Sequence, residues 1–413
     1  MKLVVALASV ALACVAGQSA LARSYSEIME EAQKAFAADD IAAASNLLDE
    51  AQKLRPYSMY VTRNRVLARV LTGRMDEAIV LAAEVAERGI VLETPPHEAF
   101  DRLKAAAAYA PVAARMETNA RPIGEADVIF ESDRTDLLPE AIARRKDAIL
   151  VGSARTGAIL EISNGLMREV ARVDGGVFDL EVAGGAAAVA AVNNQLAFER
   201  SGQGEPTAAI MKINLNNGEI LSRTEIQGGD ALLGDIEVTA ARAYASDSIT
   251  PRLFAQEKDL GPRVMATDAR FVNLQGLALD KKRKRLYVAD YLTGLFVIDL
   301  DSGTVDAIGN PTGAHLGGID GLYLYKGDLI GVQNGVLPHR IVRIDLDKAG
   351  AVAIGLRVLQ QALPEWNEPT HGFVDGDRFV YIATSNWPAY DDEGNVRDGA
   401  ELAPLRIMSV TLE

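Results

Sequence analysis

From about residue 126 the chain alternates short apolar runs with Gly, Asn and Asp, and six of those runs open alike. They read Pro139-Glu140-Ala141-Ile142, Phe178-Asp179-Leu180-Glu181, Gly234-Asp235-Ile236-Glu237, Gln275-Gly276-Leu277-Ala278, Asp320-Gly321-Leu322-Tyr323 and His371-Gly372-Phe373-Val374. Each is followed, after a turn, by a second apolar run such as Ala148-Ile149-Leu150-Val151 or Arg285-Leu286-Tyr287-Val288. Units of short strands recurring every ~40 to 55 residues predict blades set radially around an axis. The expected fold is therefore an all-β six-bladed β-propeller over residues 126–413, preceded by a small all-α domain. The first residues of the units, Glu140, Phe178, Gly234, Gln275, Asp320 and His371, should form a ring on the axis. Asp235 should point elsewhere, because successive side chains in a strand alternate. The last unit lacks an outer strand, which residues 127–130 can supply, removing an exposed edge. A seventh blade would have to come from the loose stretch 185–229.

Before the strands, apolar residues recur at three- and four-residue steps over 25–115, as in Ala44, Leu47, Leu48, Ala51 and Leu54. This segment repeats at a spacing of 34, Ala44 matching Ala78 and Leu48 matching Ala82, and it resembles a tetratricopeptide helix pair. A third helix is expected from His97 to Met116. With fewer than three repeats a free-standing superhelix is disfavoured. The region reads as a cap or short adaptor on the propeller, with a protein partner gripped by the helices as the other use. The expected organisation is 1–22 signal peptide, 23–118 helical domain, 119–125 linker and 126–413 propeller.

Composition narrows the classes. With 49% hydrophobic and 24% charged residues the chain is an ordinary globular one. A formal charge of −15 and a single basic cluster, Lys281 to Arg285 at a strand turn, give nucleic acid no surface. Lys2, the apolar run 3–17 and Ala20-Leu21-Ala22 have the pattern of a Sec signal peptide cut after Ala22, which places the protein in the periplasm or outside the cell. Nothing later reaches the ~18 apolar residues of a membrane span. Cys14, the only cysteine, would leave with the signal, excluding disulfides and thiolate chemistry.

In an antiparallel blade the end of the second strand lies beside the start of the first. Those ends read Ser153, Asn194, Asp247, Asp290, Asn334 and Asn386, so one mouth of the channel is expected to be dense in oxygens. Asn and Asp are also favoured by turns alone. Carboxylate and amide oxygens suit Ca²⁺ or Mg²⁺. Without a cation, paired carboxylates repel until one takes up a proton. Trp366 and Trp387 flank the last unit and read as core, with a pocket rim as the alternative, and His315, just before the fifth, has a place at the mouth only as its minor reading.

The units around Glu140, Gln275-Gly276-Leu277-Ala278-Leu279-Asp280 … Leu286-Tyr287-Val288-Ala289-Asp290-Tyr291 and Ile319-Asp320-Gly321-Leu322 resemble the six-bladed calcium-dependent propellers. That superfamily includes regucalcin, gluconolactonase, paraoxonase and the phosphotriesterase acting on diisopropyl fluorophosphate, with strictosidine synthase as a metal-free relative. The resemblance implies one axial Ca²⁺ held by a Glu, an Asp and usually two Asn. Matched by position, Glu140 and Asp320 are the carboxylates, Gln275 stands for one Asn, and Gly234 leaves the other place without a side chain. His371 matches an axial histidine of some hydrolases in the group. The implied activity is lactone or ester hydrolysis, with His371 and Asp320 as catalytic residues. Glu140, Gln275 and Asp320 would be metal ligands, and Asn194, Asp247, Asn334 and Asn386 would bind a hydroxylated small molecule. The competing reading is a non-catalytic binding or scaffold protein.

Overall fold

A computed structural model describes residues 23–194, 198–200, 207–228, 230–257, 260–391 and 393–413. The expected signal peptide and Cys14 lie outside the described residues. Six four-stranded antiparallel sheets surround a common axis. Blades 1 to 5 occupy 139–172, 176–225, 233–266, 274–307 and 319–361, each running from the axis outward in chain order. Blade 6 is composite: Gly372–Asp375, Arg378–Ile382 and Arg406–Thr411 are completed by Val128–Glu131. That closing strand pairs Val128 with Met408 and Glu131 with Arg406, whose guanidinium also binds the Glu131 carboxylate. The stretch 185–229 holds the three outer strands of blade 2, so the ring has six blades. Blades pack through interleaved aliphatic residues, and alanines such as Ala188 and Ala190 let neighbouring sheets approach closely.

The innermost strands of blades 1 to 5 share one irregularity. Their pairing register breaks between Pro139 and Ala141, Val177 and Asp179, Leu233 and Ile236, Leu274 and Leu277, and Ile319 and Leu322. A bulge bends its strand and re-aims side chains. Here it turns two consecutive residues toward the axis instead of one, which overturns the expected outward course of Asp235. Asp179, one residue past the ring position in blade 2, comes within 3.9 Å of His371, and Asp235 occupies the same place in blade 3. In blades 4 to 6 this second position is Gly276, Gly321 or Gly372, and neighbours fill the room. A Cβ on Gly276 would stand 2.4 Å from the Asp320 carbonyl oxygen and the Leu322 nitrogen. Gly276→Ala is accordingly expected to destabilise the protein by about 1–3 kcal/mol in denaturant titration, because the obstacle is backbone.

The helical region begins with two antiparallel hairpins, α1 (Tyr25–Ala37) with α2 (Ile41–Leu54) and α3 (Met59–Leu71) with α4 (Met75–Glu87). α3 starts 34 residues after α1, and α4 34 after α2. Ser24, Asp40 and Ser58 cap the first three helices with side-chain oxygens, Ser24 within a capping box with Glu27. The single helix expected from His97 to Met116 is two, α5 (Glu98–Ala105) and α6 (Ala110–Asn119). Pro111 cannot donate to a preceding turn, so it opens a new helix instead of continuing one. Ile28, Leu48 and Val61 form one core, and Val66, Val70, Phe100 and Leu103 a second that extends into the propeller through Val336.

The helices are clamped to blades 4 and 5. The Tyr57 side chain lies against Gly294 and Gly317, where a Cβ would come within 2.6 Å of its ring and 2.2 Å of its own Cβ, and its amide donates to the Leu292 carbonyl. Arg340, 1% exposed, donates to the carbonyls of Arg88 and Gly89. The Gln361 amide reaches the carbonyls of Asn119 and Arg121, and Ile123 forms a bridge with Gln361, so residues 119–125 lie along blade 5. His315 does not reach the mouth: it is buried edge-on against Tyr57, and burial with the charges of Arg340 and Arg88 pushes it down to about 3. No helix among the described residues is long and apolar enough to cross a membrane.

Candidate functional site

Bulges in blades 1 and 5 and the entry of blade 6 bring Glu140, Asp320 and His371 together. One carboxylate oxygen from each acid and one ring nitrogen all lie within 4.8 Å of one another. Glu140 is buried and accepts a 2.7 Å hydrogen bond from the Trp387 indole. Burial, and then the charge of Asp320, hold its carboxyl well above the usual range. Asp320 accepts from the Asn334 amide at 2.8 Å. Asn334 also donates to the Pro369 carbonyl and accepts from the Tyr291 hydroxyl at 2.9 Å. Tyr291 is raised by burial and by Asp320, and burial with Asp320 pushes Glu368 up to about 8. The His371 Nδ1 lies 3.2 Å from the Phe178 carbonyl, with Asp179 behind it. Nδ1–H given to that carbonyl leaves the lone pair on Nε2.

The donor set fits a divalent ion in part. Two carboxylates and an imidazole converge, and the Gln275 amide oxygen lies 3.0 Å from where a Gly234 Cβ would be. Gln275 donates its amide hydrogen to Asn273, so its oxygen is the end presented toward Gly234. The longer Gln275 side chain thus reaches across the gap at Gly234, alongside the hydroxyls of Ser246 and Ser248. The Thr370 hydroxyl, buried next to His371, makes no well-formed hydrogen bond among the described residues and faces the Glu140 carboxyl closely enough to favour its ionised form.

Most of the polar second-strand ends serve the fold. Pairing places Ser153, Asn193, Asp247, Asp290 and Gln333 at one register, opposite Pro139, Gly176, Leu233, Leu274 and Ile319. Asn194 and Asn334 therefore stand one residue later than Asp247 and Asp290, and one residue flips the face. Asp247 is fully buried, paired with Arg252 and accepting from the amides of Leu232, Ile249 and Thr250. Asn386, in a left-handed conformation, holds the Ala403 backbone, and Asn194 accepts from the Thr207 amide. Asn334 alone of the four expected substrate ligands touches the axial acids, as an amide donor.

Sequence reasoning passed over several members. Trp387, read as core, binds Glu140; Tyr291 and Glu368 border Asp320. Phe178, Leu138, Ala154 and Tyr390 make an apolar shelf beside Trp387. Asp179 carried a visible signal, since an Asp follows the ring position in both blades 2 and 3. Deeper in the channel Asp179 accepts from the Ile236 amide, Asp235 from Leu277 and Glu237 from Leu279. Burial raises Asp235, Glu181 and Glu237, the last to about 7.

No family model matches the chain, and no curated protein does. Solved structures do. A protein assigned as an oxidoreductase (glucose dehydrogenase) from Thermus thermophilus is 13% identical, with a TM-score of 0.47 over 69% of this chain and 99% of that one. A chain of the nidogen/laminin complex is 17% identical, with a TM-score of 0.45 over 64% and 99%. The computationally designed Ika8 protein is 10% identical, with a TM-score of 0.41 over 69% and 99%. At such identities activity does not carry across.

Proposed function

We propose that the protein is an exported lactone or ester hydrolase of the calcium-dependent propeller type, acting at the axial mouth. The observation that carries this is the convergence of Glu140, Asp320 and His371 within 4.8 Å in a channel. Glu140, Asp320 and Gln275 would hold one divalent cation, Ca²⁺ first. When bound, the ion supplies polarisation of the scissile carbonyl and charge for the developing oxyanion. His371 takes the proton of the attacking water on Nε2, its ring oriented by the Phe178 carbonyl and its positive charge met by Asp179. Asn334 and Tyr291 fix Asp320, and Trp387 fixes Glu140. The export signal in 1–22 and the tetratricopeptide character of the helices belong to this reading.

His371→Asn is expected to lower kcat for γ-butyrolactone or p-nitrophenyl acetate by about 10²-fold or more while leaving the Ca²⁺-induced thermal shift in place. Loss of the shift together with activity would make His371 a ligand. The binding-protein reading draws on Asn194, Asp247 and Asn386, whose oxygens are committed to loops and leave few groups to orient a hydroxylated substrate. It prevails when no lactone or ester turns over with any divalent ion.

A further inference from the structure

Where α2, α3 and α4 meet the propeller they enclose a cavity of about 120 Å³, which none of the axial residues lines. Met59, Leu81, Val85 and Ile90 give it an apolar wall. The polar side chains on the helical side are committed elsewhere. The Gln52 amide donates to the carbonyls of Arg55 and Pro56, its oxygen accepts from the Thr62 hydroxyl, and Arg65 pairs with Asp49. Glu84 and Arg88, both exposed, stand at the rim. His315 closes the cavity as the single lining residue from the propeller. It is 3% exposed, and its Nε2 is the one buried side-chain polar atom of the lining without a hydrogen-bond partner. Water suits this space poorly, since a buried water keeps about two to four polar partners and only Nε2 is unmet. A dry cavity of about 150 Å³ takes up benzene, so a body of about four to six carbons fits here.

The sign of the ligand's charge follows from the groups around His315. Burial and the guanidinium charges of Arg340 and Arg88 keep the ring neutral. A neutral imidazole can carry its hydrogen on Nε2, and the same two positive charges favour an anion as the acceptor. Glu84, the one acid of the lining, disfavours a second negative charge. We infer that this cavity is a binding site for a short-chain monocarboxylate, its head held by the His315 Nε2–H and Arg88 and its alkyl body by the apolar wall. Such a ligand touches helices and propeller at once and fastens one to the other. The site is independent of the hydrolase reading, because it shares no residue with the axial acids.

The test titrates acetate, butyrate, hexanoate and octanoate into the full protein in EDTA at constant ionic strength, by calorimetry, beside hexan-1-ol and hexylamine. Affinity is expected to rise about threefold per carbon up to hexanoate and to fall at octanoate, which the cavity cannot hold. Hexanol and hexylamine should bind about tenfold more weakly than hexanoate, or worse. His315→Phe keeps a ring against Tyr57 and should weaken hexanoate about tenfold or more. Arg88→Gln changes an exposed side chain and leaves the carbonyl that Arg340 binds, so it tests the site even where His315→Phe does not fold. It should weaken hexanoate about two- to fivefold and leave hexanol unchanged. Glu140→Gln should leave hexanoate affinity as in wild type. Saturable hexanoate binding that weakens in Arg88→Gln and survives Glu140→Gln supports the site. No saturation by any carboxylate, hexylamine bound as tightly as hexanoate, or binding that Arg88→Gln leaves intact overturns it, and loss in Glu140→Gln would place the ligand at the axis instead.

Discussion

Millimolar Ca²⁺ added to the EDTA-treated protein is expected to raise its melting temperature by several degrees. Glu140→Gln should abolish that rise and yet melt above wild type in EDTA. The reversal of sign is the informative part. Without a cation, Glu140 and Asp320 face each other in a buried site with Glu368 nearby, and burial, then the charge of Asp320, hold the Glu140 carboxyl well above its usual range, so folding costs either a proton taken up or a repelled charge. Gln removes the repulsion and keeps an oxygen for the Trp387 indole. With a cation present, the wild-type acids are its ligands, and an ion at 100 times its dissociation constant adds about 2.7 kcal/mol that Gln cannot recover. Because the Glu140 proton must leave before the carboxylate can ligate, affinity should climb with pH. Unchanged melting with Ca²⁺, Mg²⁺ and Mn²⁺ would remove the metal centre; an undiminished response in Glu140→Gln would put the ion elsewhere.

Glu237→Gln should melt higher than wild type at pH 8, with the two converging near pH 4.5. In the folded channel burial, and Asp179 close by, raise Glu237 from 4.5 to about 7, with Lys281 pulling the other way and Glu181 and Asp235 also close. An acid whose folded value is raised binds its proton more tightly in the native state. Its stabilising contribution is complete below 4.5 and is lost as pH rises toward 7. Gln keeps an oxygen for the Leu279 amide and cannot ionise, so it escapes a loss on the order of 3 kcal/mol. Parallel melting curves of the two proteins from pH 4.5 to 8 would show that Glu237 is solvated or cation-paired instead.

The blades were legible because a repeated apolar pattern of period two survives any loop between its copies. The ring residues followed from that repeat, and Glu140, Asp320 and His371 do meet. The bulges did not follow: alternation predicts one inward residue, so the one trace of a second, an Asp after the ring position in blades 2 and 3, reads as pointing away from the axis. The same limit produced the slip at Asn194 and Asn334, since strand ends read from apolar runs are uncertain by a residue and a residue changes the face. Trp387 looked like core because its indole partner, Glu140, lies 247 positions away in the chain. Pro111 was readable as a break in the third helix, and apolar periodicity on both sides hid it.

Ring closure also sets an order of events during biogenesis. Val128 and its partner Met408 are roughly 280 residues apart, so the seam can form only after nearly the whole chain is available. Until then the first strand has no mate and blade 6 carries an open edge, a template for pairing with other chains. Long-range pairing of this kind is slow. Truncation of even the last strand should therefore yield aggregates instead of a smaller soluble propeller.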